Sequence, residues 1–234
     1  MMKGLVCIFS FLYFINYGSA QIELKPTTNP IINKNHGVKL DVFGLFRGYT
    51  QIGYEKFLSP TRSIEFSLGL IGVGRNHVFE YSDTVIGAKE HNKNQFGVFL
   101  SAGYKFYRLN FLEIGRKETT PFNQGLYIKP IFYVGQYSEN RIAGINYQQQ
   151  TYQLQRPSTT FAAIQIELGK EWVIGNKILI DAYGGVGYSV DNKNYYSTSY
   201  YNYKTTSAFN YCNQRIGTSP GISTTLGIKA GFLF

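Results

Sequence analysis

The chain has 234 residues, of which 16% are charged and 17% aromatic, with 25 glycines and a formal net charge of +9. The charged fraction falls below the quarter usual for soluble domains, and no apolar run beyond the N-terminal stretch approaches the roughly 20 residues a membrane helix needs, which excludes a helical membrane protein. A basic balance without any nucleic-acid motif favours contact with anionic lipid head groups, or no specific partner, over nucleic acid.

The N-terminus reads as an export signal. Met1-Met2-Lys3 is basic, Gly4 to Tyr17 is apolar but too short to cross a bilayer, and Gly18-Ser19-Ala20 supplies small residues before Gln21. That order predicts a secretory signal peptide over 1–20, cleaved after Ala20, with 21–37 following as a periplasmic N-terminal segment. Cys7 lies too early for a lipoprotein cleavage site. Cleavage leaves Cys212 as the sole cysteine, which rules out an internal disulfide. Its setting among Tyr, Asn and Ser, with no histidine nearby in sequence, reads as a free loop thiol.

Eight period-2 segments of about ten residues follow, at 38–47, 49–58, 62–73, 95–108, 125–136, 160–173, 177–189 and 222–234. Val, Ile, Phe and Tyr fill them, as strands require, and no helical periodicity competes. Placing the N-terminus in the periplasm makes Ser59-Pro60-Thr61 and Ile174-Gly175-Asn176 tight periplasmic turns. The links 74–94, 137–159 and 190–221 become long external loops. Two links depart from this outline: Arg47-Gly48-Tyr49 is a short external connection, and 109–124 is a long periplasmic one.

The last segment alternates without a slip. Ile222, Leu226, Ile228, Ala230, Phe232 and Phe234 share one phase, and Ser223, Thr225, Gly227, Lys229 and Gly231 the other. The same division recurs in 95–108, 160–173 and 177–189. Glycine and charge in the polar phase suit a crowded barrel interior rather than a solvated exterior, because eight strands leave just enough room for side chains. The apolar phase then faces lipid. Tyr54, Tyr104, Phe106, Trp172 and Tyr188 near segment ends predict aromatic girdles, with Phe46 at the outer rim. Lys56 and Lys170 share the apolar phase close to the periplasmic end, within reach of head groups. Pro130 has no N–H for a ladder, so a bulge or a missing bond is expected there.

The inward phase carries Lys39, Asp41, Glu55, Glu65, Lys105, Lys129, Glu167, Glu171, Asp181 and Lys229. Isolated buried charges are very costly, which predicts a paired network plugging the barrel rather than an ion path.

Catalytic chemistry finds little support. The histidines are His36, His77 and His91, and none shares a strand with a serine. His77 with Ser82 and Asp83 is the least poor acyl-transfer arrangement, all on one loop. His77 and His91 do not have metal-ligand spacing, and Gly184-Gly185-Val186-Gly187 lies mid-strand with no helix after it, so neither metal nor nucleotide nor other cofactor is expected. The loop 190–221 is rich in Tyr, Ser and Asn, a composition that makes adaptable contacts and offers a surface for an extracellular ligand.

With the strands placed, residues 38–234 resemble the small outer-membrane β-barrels of Gram-negative bacteria, the OmpA/OmpX-like family. The resemblance rests on Gly53-Tyr54-Glu55-Lys56, Leu168-Gly169-Lys170-Glu171-Trp172, Tyr183-Gly184-Gly185-Val186-Gly187-Tyr188 and Gly227-Ile228-Lys229-Ala230-Gly231-Phe232. It implies an eight-stranded antiparallel up-and-down transmembrane barrel, inserted among outer-membrane lipids by the barrel assembly machinery. That machinery reads a terminal aromatic, here Phe234 with Phe232 before it. No catalytic residue carries over. The expected role is structural or surface-interacting and porin-like only in architecture. The alternatives are a lipid-modifying enzyme at the rim and a soluble exported barrel with a small apolar ligand inside.

Overall fold

A computed structural model describes residues 35–74, 94–107, 124–146, 151–175, 177–193 and 207–234. In chain order the elements are β1 (His36–Asp41), a helical turn α1 (Gly44–Arg47), β2 (Tyr49–Ser59), β3 (Arg62–Ile71), β4 (Phe96–Tyr107), β5 (Gly125–Ser138), β6 (Arg141–Asn146), β7 (Thr151–Gln155), β8 (Ser158–Ile174), β9 (Ile178–Asp191), β10 (Ser207–Phe209), β11 (Gln214–Ile216) and β12 (Gly221–Leu233). Strands β1, β2, β3, β4, β5, β8, β9 and β12 pair antiparallel in that order, and β12 pairs back to β1. The wall is therefore a closed eight-stranded barrel. β6 and β7 form a separate hairpin inside the expected external loop 137–159.

Closure leaves one question, which phase faces in. On β3, Phe66 is 56% exposed while its neighbours Glu65 and Ser67 are buried. On β12, Phe232 is 67% exposed and Lys229 only 1%. Val98, Leu100, Ile164, Ile166, Leu168, Val186 and Ile228 also point outward, and Asp181 and Glu167 inward. Apolar side chains of this size are worth about 1.5–3 kcal/mol each when removed from water, so a continuous belt of them is stable only against an apolar surround.

The interior is fitted by pairing rings with glycines. Phe99 stands in register between Gly69 on β3 and Gly135 on β5, and Tyr183 between Gly169 on β8 and Gly227 on β12. A methyl group added at Gly69 would run into the Phe99 ring, and one at Gly227 into the Tyr183 ring. Each inward ring thus occupies the volume that its neighbour's missing side chain leaves.

Four features differ from the sequence expectation or refine it. Pairing begins at His36 rather than residue 38, and the first strand stops at Asp41 instead of continuing to residue 47. The carboxylate of Asp41 accepts the Gly44 N–H at 2.9 Å, which turns the chain into α1, and Gly48 closes that turn at φ 85°, a left-handed conformation glycine adopts without strain. At Pro130 the β4–β5 ladder omits Tyr104, Lys105, Lys129 and Pro130, resuming in the same register on either side; the outcome is missing bonds without a bulge. The C-terminal part of the expected loop 190–221 contains the β10–β11 hairpin. Residues 1–34, which include the expected signal peptide, and the link 109–123 lie outside the described residues.

The ring–glycine fit predicts that Gly69→Val destabilises the barrel by about 1–3 kcal/mol in urea titrations followed by Trp172 emission, and that adding Phe99→Ala recovers part of the loss.

Candidate functional site: the charged interior and its outer cap

Antiparallel register sets like charges face to face. Glu55 lies directly opposite Glu65 across β2–β3, and Glu171 opposite Asp181 across β8–β9. Such pairs repel unless a cation reaches both. Lys105 does so from β4. Its Nζ lies 3.2 Å from Glu55, 3.1 Å from Glu65, 2.9 Å from Glu171 and 2.8 Å from Asp181. Lys39 of β1 contacts Glu55, Glu171 and, at 3.1 Å, Asp181. Lys129 of β5 lies 2.7 Å from Glu167 and 3.5 Å from Glu65, and Lys229 of β12 also meets Glu65. All of these side chains are essentially inaccessible to water.

Six carboxylates face four ammonium groups in this interior, and tyrosines supply further donors. Tyr107 donates to Glu55 at 2.7 Å and to Glu171 at 3.2 Å, Tyr127 to Asp181 at 2.6 Å, and Tyr133 to Glu167. Asp41 is held differently from the rest. Its donors are the Gly44 amide, Tyr49 at 3.1 Å and Tyr183 at 2.7 Å, all neutral. Of these tyrosines only Tyr183 stands out from sequence, in the polar phase of 177–189. The signal of the others is phase: Tyr49 shares a face with Gln51, Gly53 and Glu55, and Tyr133 with Lys129.

Toward the loop end the interior changes character. Tyr49, Ile71, Phe99, Ile131, Tyr137, Phe161 and Ala163 form an apolar cluster, and Tyr211 and Cys212 of the β10–β11 turn join it from above. Cys212 is therefore buried, not a solvated loop thiol, and burial pushes its thiol up to about 12. A stretch without strand periodicity gave no hint of this insertion. β11 follows the edge of β12 that β1 vacates: β1 ends opposite Lys229, and β11 pairs with Ile222 to Thr224.

The outer face carries the expected aromatics. Tyr54, Phe106 and Tyr188 are exposed, Tyr104 and Trp172 half-buried. Tyr104 packs on Phe106 with centroids 4.8 Å apart, and Lys170 lies 5.4 Å from the Trp172 ring. Phe232 and Phe234 point outward, and Phe234 pairs its backbone with His36. His36 Nδ1 lies 2.6 Å from the Tyr54 hydroxyl. His77, Ser82, Asp83 and His91 lie outside the described residues.

A closed eight-stranded antiparallel barrel with an apolar outer face, rim aromatics and buried interior charge has the architecture of an OmpA-like outer-membrane barrel. No family model matches the chain, and no curated protein sequence does. Among solved structures, the N-terminal β-barrel domain of Pseudomonas aeruginosa OprF aligns at 12% identity over 86% of this chain and 98% of that one, with a TM-score of 0.35. The β domain of the Bordetella autotransporter BrkA aligns at 10% identity over 85% and 97%, with a TM-score of 0.37. The closed strand order and the outward apolar phase of this chain define its fold.

Lys105→Met removes the cation that meets all four carboxylates and leaves only Lys39, Lys129 and Lys229 to hold them. We expect about 3–5 kcal/mol of destabilisation by urea titration, partly relieved when Glu171→Gln and Asp181→Asn are added.

Proposed function

We propose that this chain is an integral outer-membrane barrel without catalytic activity, closed to ions by its own interior side chains, with its external loops available for contacts at the cell surface. The single observation that carries the reading is the filled interior. Phe57, Tyr107 and Tyr127 at the turn end, the ion network in the middle, and Tyr137, Phe161 and Tyr211 at the loop end are all buried. A stack of this kind supports a sealed barrel, because an ion entering it must displace paired charges in a medium of low dielectric.

Orientation supports the membrane part of the reading. A soluble barrel with an apolar ligand inside requires the greasy phase to converge on the axis, and here it faces out. Rim aromatics at the head-group level support contact with outer-membrane lipids. The signal over 1–20, export past the inner membrane and recognition of Phe234 and Phe232 by the barrel assembly machinery complete the proposal. The loop 190–221 remains the proposed contact surface for an extracellular ligand.

Two measurements test this. Purified protein in planar bilayers should give no large, stable conductance steps; such steps would overturn the sealed interior. In cells, deletion of Phe234 should lower the heat-modifiable, membrane-embedded fraction several-fold, and an unchanged yield would remove the terminal aromatic from the assembly signal.

A further inference from the structure

The β10–β11 hairpin completes the outer part of the wall, yet among the described residues its ladder runs along one edge only. β11 contributes three register pairs to β12, Gln214 with Thr224, Arg215 with Ser223 and Ile216 with Ile222. Among the described residues, β10 pairs with β11 alone. Wall strands such as β8 and β9 are paired on both edges along most of their length.

The remaining attachment is by side chains. Arg215 Nε donates to Asp191 Oδ2 at 2.8 Å, and Asn210 Nδ2 donates to the same oxygen at 2.8 Å. Tyr211 donates to Glu139 Oε2 at 2.8 Å, and Tyr137 donates to Asn210 Oδ1 at 3.1 Å. Arg47 of α1 places its guanidinium carbon 5.1 Å from the Phe209 ring centroid. Across the seam from β12 to β2, the hairpin is thus met by a cation on a ring rather than by a ladder.

The tip is under local constraint. Tyr211 has φ 62°, the left-handed region that a bulky residue leaves unless its surroundings hold it. Its ring, edge-on to Tyr137 at 5.0 Å and 2% exposed, provides that hold. Asn213, wholly buried, keeps a side-chain oxygen without a hydrogen-bond partner. Segments with few ladder bonds and much side-chain anchoring open at lower free energy than the element they rest on.

We propose that residues 207–216 form a releasable stopper: the hairpin lifts from the barrel mouth as one unit while the eight-stranded wall stays closed, uncovering the cup lined by Tyr49, Ile71, Phe99, Tyr137 and Phe161. The Asp191–Arg215–Asn210 cluster is the latch, and the edge of β12 is the hinge line to which the hairpin returns. Lifting gives Cys212 access to water, so the chain carries its own reporter of the open state.

The test is alkylation of the folded, full-length protein in vesicles with a membrane-impermeant maleimide. Labelling of Cys212 is read by peptide mass, and barrel integrity in parallel from the heat-modifiable gel form. The expected result is Cys212 labelling faster than the barrel unfolds, with Arg215→Ala raising the rate about tenfold and leaving the barrel's own unfolding unchanged. Amide exchange on the wild-type protein supplies the second readout: 208–216 should exchange well ahead of 222–233. Cys212 labelling only at the rate of global unfolding, or exchange of the hairpin together with β12, would overturn the proposal. Should Arg215→Ala fail to fold, the exchange comparison decides alone.

Discussion

Two ammonium groups, those of Lys105 and Lys39, sit where two repulsive carboxylate pairs meet. Antiparallel pairing brings Glu55 against Glu65 and Glu171 against Asp181, on nearly opposite parts of the wall, and neither juxtaposition is tolerable alone. Lys105 reaches all four across the interior. The register of β2 on β3 and that of β8 on β9 are therefore coupled through the axis of the barrel. A slip of one residue in either hairpin would turn its carboxylates toward the apolar surround and leave the lysine short of partners. The network is better understood as a specification of register than as a source of net stability, since burying the charges has already consumed much of what their attraction returns.

Around that centre the structure solves a volume problem. A barrel this narrow cannot hold a large side chain at every inward position. Its sequence distributes bulk so that Phe99 is flanked by Gly69 and Gly135, and Tyr183 by Gly169 and Gly227. Tyrosine suits this duty because its ring fills space while its hydroxyl answers a carboxylate. The interior consequently has three storeys, aromatic at the turns, ionic in the middle and aromatic again toward the loops.

The wall strands and their inward phase could be read from the chain because both follow a local period: two residues per repeat over ten or more positions, as in 222–234. Glycine in the polar phase of β4 and β9 pointed to the interior for the same reason. The early end of β1 could not be read, since one carboxylate–amide bond at Asp41 redirects a chain that still alternates in sequence up to Phe46. The β10–β11 hairpin was equally hidden. Three-residue strands carry no period, and what seats them is a set of contacts to Asp191, Glu139 and Tyr137, distant in sequence. Neutral solvation of Asp41 was also illegible, because the tyrosines that provide it come from β2 and β9.

Pro130 has an effect that extends beyond its own strand. By removing ladder bonds between β4 and β5, it loosens the staves on either side of Lys105 and Lys129, two cations that an unbroken ladder would hold abreast. The wall is thereby given slack beside its most highly charged point. Fewer backbone bonds hold the β4–β5 seam beside Pro130 than the positions of the same seam on either side.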